Sequence, residues 1–94
     1  MVFEWDEDKD ESNLRKHGIS FAHATLAFDD PMRYERPERS LDHGEDRWSL
    51  TGVIGQREIV VVFTLRESNT RIISARKATS DERKEYWENR IFHT

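Results

Sequence analysis

Between Arg71 and Glu88 the hydrophobic pattern changes its period. Ile73 and Ala75 alternate with Ser74 and Arg76 in the two-residue rhythm of a strand, and the residues after Ser80 recur at helical spacing. The change falls at Thr79-Ser80. Thr79 is a good N-cap, Glu82 stands three residues on as the reciprocal half of a capping box, and Asp81 adds negative charge where the helix dipole favours it. A strand therefore runs straight into a helix. On that helix Glu82, Tyr86, Arg90, Arg83, Trp87 and Ile91 span one half-turn in that order, which sets an apolar edge beside an ionisable one. Glu82, Arg83 and Tyr86 are expected near one another and near Arg76, which alternation places on one face with Ser74 and Ile72.

The same reading covers the rest of the chain. Val2 to Trp5 alternates as a short strand, Asp6 caps a helix that ends at His17-Gly18, and Gly18 has the character of a left-handed C′ residue. Ile19 would then meet Leu14 in a Schellman arrangement. Ser20 caps a second helix, Phe21 to Phe28, which Asp29-Asp30-Pro31 ends. Met32 to Arg36 reads as an edge strand stopped by Pro37, and Glu38 to Asp46 as a solvated loop. From Arg47 the alternation is strong, with Trp48, Leu50 and Ile54 on one side and Arg47, Ser49, Thr51 and Val53 on the other. Gly55-Gln56 signals a two-residue hairpin into a central strand, Glu58 to Arg66, and Glu67 to Thr70 returns the chain to the Arg71 strand. The predicted class is α+β: a small antiparallel sheet, a three-stranded meander with one or two edge strands, two helices before it and one after.

Composition narrows this picture. Ninety-four residues suit a single domain with one modest core. Charged residues (36%) match hydrophobic ones (35%), a balance that would suggest disorder were the apolar residues not concentrated in runs such as Ile59 to Leu65. The chain has no Cys, which excludes disulfides and thiolate chemistry and fits a reducing compartment. With no run of membrane-spanning length and no signal-peptide pattern, a cytoplasmic protein is expected. Neither metal nor cofactor is expected: Asp6, Asp8 and Asp10 depart from a calcium loop at Glu11 and His17, and His23, His43 and His93 lack ligand spacing. The net charge of −4 argues against general binding to a phosphate backbone, but residues 66–94 are net basic, and an Arg cluster there suits one or two phosphates.

An ordered set of motifs carries a resemblance. Phe3-Glu4-Trp5-Asp6 with Lys9 and Asn13 is followed by Lys16-His17-Gly18-Ile19-Ser20-Phe21 and Asp29-Asp30-Pro31. Arg47, Gly55, Val61-Val62-Phe63-Thr64 and Arg66 come next, then Arg71 through Ala78 with Glu82-Arg83 and Tyr86. In this order they resemble the BrnT family of toxins, ribonucleases of type II toxin–antitoxin systems with a RelE-like fold. The resemblance implies metal-independent cleavage of RNA, neutralised by a BrnA-like antitoxin through which alone DNA is bound. It implies a catalytic set of Arg76, Glu82, Arg83, Tyr86 and His17, and RNA-binding cations at Lys16, Arg47, Arg66 and Lys77. Assembly as a homodimer or as a heterotetramer with the antitoxin fits equally, and no membrane partner is implied.

Cleavage by the ribose 2′-OH needs a base for its proton, cations for the charge growing on phosphate, and an acid for the departing 5′-oxygen. Arg76 and Arg83 suit the phosphate, since guanidinium stays charged and donates two bonds to it. Glu82, His17 and Tyr86 are candidates to carry or orient protons, and Tyr86 is also a candidate to stack a base. Each has a plainer use. Glu82 serves a capping box, Lys16 and His17 satisfy helix-end carbonyls, Tyr86 and Trp87 belong to a core edge, and Arg76 pairs with Glu82. The alternative function is a non-catalytic module of the same fold that holds a partner segment through its Arg-bearing face.

Overall fold

The computed structural model describes residues 1–38 and 45–92, with side chains through residue 90. Its strands are β1 (Val2–Glu4), β2 (Tyr34–Glu38), β3 (Arg47–Ile54), β4 (Arg57–Arg66) and β5 (Asn69–Lys77). They form one sheet in the order β1-β5-β4-β3-β2. The β3-β4-β5 meander is as expected, its first hairpin closing over Gly55-Gln56 with Gly55 at φ +64. The second closes over Glu67-Ser68, so β5 begins at Asn69, and Glu67 takes the left-handed conformation at φ 55.

Four expectations about the strands need correction. The sheet is mixed rather than antiparallel, because β1 lies parallel to β5 (Val2 opposite Asn69, Glu4 opposite Arg71), a pairing of distant segments that leaves no local signal. Pro37 does not stop β2; it sits within it opposite Trp48, tolerated because an edge strand has one side without ladder bonds. Met32 and Arg33 precede β2 instead of opening it, since the Met32 N–H bonds the Asp30 carboxylate and the Arg33 N–H bonds the Asp30 carbonyl. Finally, a bulge between Val62 and Phe63 pairs Val62 with Ser74 but Phe63 with Ile72. The extra residue turns Ile72 into the core, away from the face of Ser74 and Arg76.

The sheet packs one face into the main core, and the other buries Val60 and Thr51 in the Arg76 row while leaving the Ser49 row open. Leu50, Ile59, Val61, Phe63, Ile72 and Ala75 form one face of the core. Over them lie α1 (Glu7–His17), the short α2 (Phe21–Ala24) and a 3-10 turn, Thr25–Asp29. The expected second helix thus gives way to a tighter turn after Ala24. Phe28 fills the centre, edge-on to Phe3 (4.9 Å between centroids) and Phe63 (5.1 Å). Burial of such a ring stabilises by roughly 1.5–3 kcal/mol. The 3-10 turn packs so closely that a Cβ on Gly52 would stand 2.6 Å from the Ala27 carbonyl oxygen. Gly52 therefore sets the approach of this layer.

Caps behave largely as the sequence suggests. Asp6 accepts from the N–H groups of Asp8 and Lys9, and Ser20 from that of His23. Gly18 is left-handed, with its N–H bonded to the Leu14 carbonyl at 2.9 Å; that is the single bond of the αL cap rather than a Schellman pair, and Leu14 is exposed while Ile19 is buried. The third helix, α3 (Ser80–Phe92), carries the full capping box: the Thr79 N–H donates to Glu82 Oε1 at 2.8 Å and the Glu82 N–H to Thr79 Oγ1 at 3.2 Å. Positions 39–44 of the expected loop, with His43, and also His93 and the Ile91 side chain, lie outside the described residues.

Candidate active site

Residues expected to act together converge where β5 runs into α3. Arg76 stands on the polar face of β5, and its Nη1 and Nη2 donate to the two carboxylate oxygens of Glu82 at 2.7 and 2.9 Å. Nη1 also reaches the Lys77 carbonyl. The fork is bidentate and fixes the guanidinium plane. Glu82 is 17% exposed against 38% for Arg76, and it also accepts the Thr79 N–H. The Arg76 guanidinium, opposed by partial burial and helped by Thr79, holds the Glu82 carboxyl at about 2. At neutral pH Glu82 is therefore a fixed anion, and the same pairing raises the Arg76 pKa.

Arg76 borders two hollows. One is an open cleft of about 720 Å³ on the polar face, lined by Arg36, Ser49, Val62, Ser74 and Glu82 among others. The second, about 430 Å³, lies around the sheet edge among Lys16, His17, Lys77 and Thr79. Lys16, His17, Arg76 and Lys77 are thus brought together from segments some sixty residues apart in sequence. Arg83 joins the same junction, donating to the Ala78 carbonyl at 3.3 Å from an otherwise exposed position.

What holds the end of α1 at this edge is Asn13, which is buried. Its amide donates to the carbonyls of Ala75 (2.8 Å) and Ile19 (2.9 Å), and its oxygen accepts the Ala75 N–H at 3.2 Å. Asn13 thereby acts as one residue of an extra strand beside β5, past the end of β1. A further tie, Asp10 Oδ1 to the Phe21 N–H, fixes α1 to α2. Asn13 matched a motif but had no role in the sequence reading. Its signal was that α1 has almost no apolar face, while Asp10, Asn13 and His17 recur at helical spacing.

Tyr86 is elsewhere. It is 0% exposed, its hydroxyl donating to Asp30 Oδ2 and accepting from Arg90 Nη1 at 2.9 Å. A buried ring offers no face to a base, so stacking on Tyr86 is not available in this arrangement. Asp30 is the hub: it also accepts the N–H groups of Val53 (2.9 Å) and Met32 (2.8 Å). Burial pushes its carboxyl up, but the Tyr86 hydroxyl and these amides hold it below the usual range. Burial, then Asp30, raises the Tyr86 phenol. This network anchors the middle of α3 to β3. The sequence reading gave Asp30 only the role of a helix stop.

Arg47 and Arg66 are not at the Arg76 edge. Both reach Glu45, at 3.6 and 3.5 Å, near the other end of the sheet. Arg47 does share the polar face with Ser49, about 13 Å along β3 from the Arg76 row. Asp6 and Asp10, read above against a calcium loop, serve as cap and tie.

A small α+β fold that sets a carboxylate-anchored arginine beside Lys16, His17 and Lys77 gathers the kind of cations that a phosphate ligand requires. The family comparison makes this particular. Residues 5–82 match the model of the BrnT ribonuclease toxins of type II toxin–antitoxin systems, and the chain belongs to that family. Membership implies RNA as substrate and an antitoxin protein as partner. No curated protein matches the chain significantly. Among the described residues, no helix is long and apolar enough to cross a membrane.

Proposed function

We propose that this chain is the toxin of a type II pair, a metal-independent endoribonuclease of RelE-like fold that cuts RNA by attack of the ribose 2′-OH on the adjacent phosphate and so inhibits translation. The observation that carries this reading is the position of Arg76, fixed by Glu82 and open to two hollows, with Lys16, His17 and Lys77 around the second. The O2′–P bond forms, the P–O5′ bond breaks, and the product is a 2′,3′-cyclic phosphate with a 5′-hydroxyl. Arg76, Arg83 and Lys77 stabilise the charge growing on the phosphate oxygens. His17 carries a proton at the site, the usual work of an imidazole in such chemistry.

Glu82, held at about 2, is too weak a base to take the 2′-OH proton efficiently. Its role is to orient Arg76. Tyr86 acts through α3, whose position it fixes with Asp30. Family membership favours this reading over a non-catalytic module.

The test is cleavage of an end-labelled RNA in the presence of a chelator. Wild-type protein is expected to give 2′,3′-cyclic ends, and Arg76→Ala, checked for folding by circular dichroism, to lose about 100-fold or more in kcat. Cleavage that stops with chelation, or products with 3′-hydroxyl ends, would overturn the mechanism.

A further inference from the structure

Arg36 takes no part in the chemistry proposed above, yet it lines the polar-face cleft across from Arg76. Arg36, Ser49, Val62 and Ser74 are register partners, forming one row across four strands, with Arg76 two residues beyond Ser74 on the same face. Three inter-strand steps put the Arg36 and Ser74 backbones about 14 Å apart. The floor between them is two hydroxyls and one small apolar side chain, which leaves room above it.

The two arginines are held alike. Arg76 is gripped by Glu82, and Arg36 Nη1 lies 3.2 and 3.4 Å from the carboxylate oxygens of Glu85. Glu82 and Glu85 are three residues apart, neighbours on one side of α3. The grips differ in strength. Arg76 is engaged through both terminal nitrogens, whereas Arg36 offers one, in a pair 53% and 38% exposed. An exposed pair of that kind contributes roughly 0–1 kcal/mol, and among the described residues only Nη1 of Arg36 is engaged, by Glu85. If Arg36 leaves, Glu85 stays partly exposed to solvent beside the Tyr34 hydroxyl, whose pKa it raises, so no buried carboxylate is stranded.

We propose that Arg36 is a second phosphate anchor of the RNA site: a single strand crosses the sheet from β5 to β2, with the scissile phosphate at Arg76, a neighbouring phosphate at Arg36 and a base over Ser49, Val62 and Ser74. Glu85 competes with the RNA for Arg36. This rests on the ribonuclease reading for the identity of the ligand. Single-stranded RNA suits the row, because its unstacked bases present hydrogen-bonding edges to hydroxyls.

The experiment is fluorescence anisotropy with a 2′-O-methyl oligoribonucleotide, which binds but cannot be cut, over a range of salt. Arg36→Ala is expected to weaken binding about tenfold and to lower the slope of log K against log salt by about 0.7, the loss of one phosphate contact on a single strand. Glu85→Ala is expected to tighten binding about threefold, a direction that loss of a structural pair would not produce. A neutral methylphosphonate placed in turn at each linkage should weaken the wild type at one flanking position and leave Arg36→Ala unaffected there. Unchanged affinity and slope in Arg36→Ala, weaker binding in Glu85→Ala, or no binding by the wild type would each overturn the anchor. Arg36-dependent binding by a protein that cuts no RNA would support the anchor and sink the ribonuclease reading.

Discussion

The two faces of the sheet are made from the same strands, often from adjacent residues, and have opposite characters. Leu50, Val61 and Ala75 form one row and are all 0% exposed; Ser49, Val62 and Ser74 form the next row and line an open cleft. A step of one residue along β3 thus moves from a fully buried core position to the floor of the candidate substrate site. In these two rows, packing and the candidate chemistry stand on opposite sides of one backbone. Substitutions on the two faces should consequently separate in their effects.

The largest effect belongs to the core face. Leu50→Ala should lower the unfolding free energy by about 2–5 kcal/mol, measured by urea denaturation, because it opens a cavity in a fully packed row. Ser49→Ala, its neighbour on the other face, should stay within about 0.5 kcal/mol. Equal losses at the two positions would erase the distinction. Next comes Asp30→Ala, which strips partners from the Tyr86 hydroxyl and two backbone N–H groups and should cost about 2–3 kcal/mol. Since Asp30 holds α3 in place, its loss should also lower kcat, and Asp30→Asn should recover part of both.

Glu82 sharpens the comparison through pH. Its carboxyl is lowered from 4.5 to about 2 on folding, so it contributes stability that is fully present above pH 4.5 and lost as pH falls toward 2. Discounted for the partly exposed Arg76 partner, the contribution is about 1–2 kcal/mol. Glu82→Gln should remove that part of the acid limb in thermal melts at pH 2 to 5. An acid limb unchanged from the wild type would mean that the pair contributes nothing. The smallest effect is a gain. Glu67 sits left-handed in the β4-β5 turn, and Glu67→Gly should raise stability by up to about 1 kcal/mol without altering cleavage, since the turn is remote from Arg76.

Features governed by neighbours in sequence were legible in it. The Thr79-Glu82 box, the Asp6 and Ser20 caps, the Gly18 terminus and the Gly55-Gln56 turn are each set by a few adjacent residues, and each stands where the residues imply. The pairing of Arg76 with Glu82 followed from the same logic, a strand and helix face separated by a short junction. What escaped depends on distant partners. The parallel alignment of β1 with β5, the bulge that turns Ile72 inward, and the passage of β2 through Pro37 follow from how the strands stack. Asp30 and Asn13 look ordinary in sequence because their partners are 56 and 62 residues away. Tyr86 shared the expected helix edge with Glu82 and Arg83, but its hydroxyl found Asp30 and turned it inward.

The bond between Asn13 and Ala75 also bears on the order in which the molecule assembles. Contacts of such long sequence separation form late, after the entropy of closing a large loop has been overcome. A ribosome makes the chain from the other end, so α1 and its Lys16 and His17 exist long before β5 does. The edge at which His17 meets Arg76 comes into being only when the last third of the polypeptide has been made and docked. On the proposed reading, a chain that stops before β5 carries Lys16 and His17 but lacks the Arg76 they accompany.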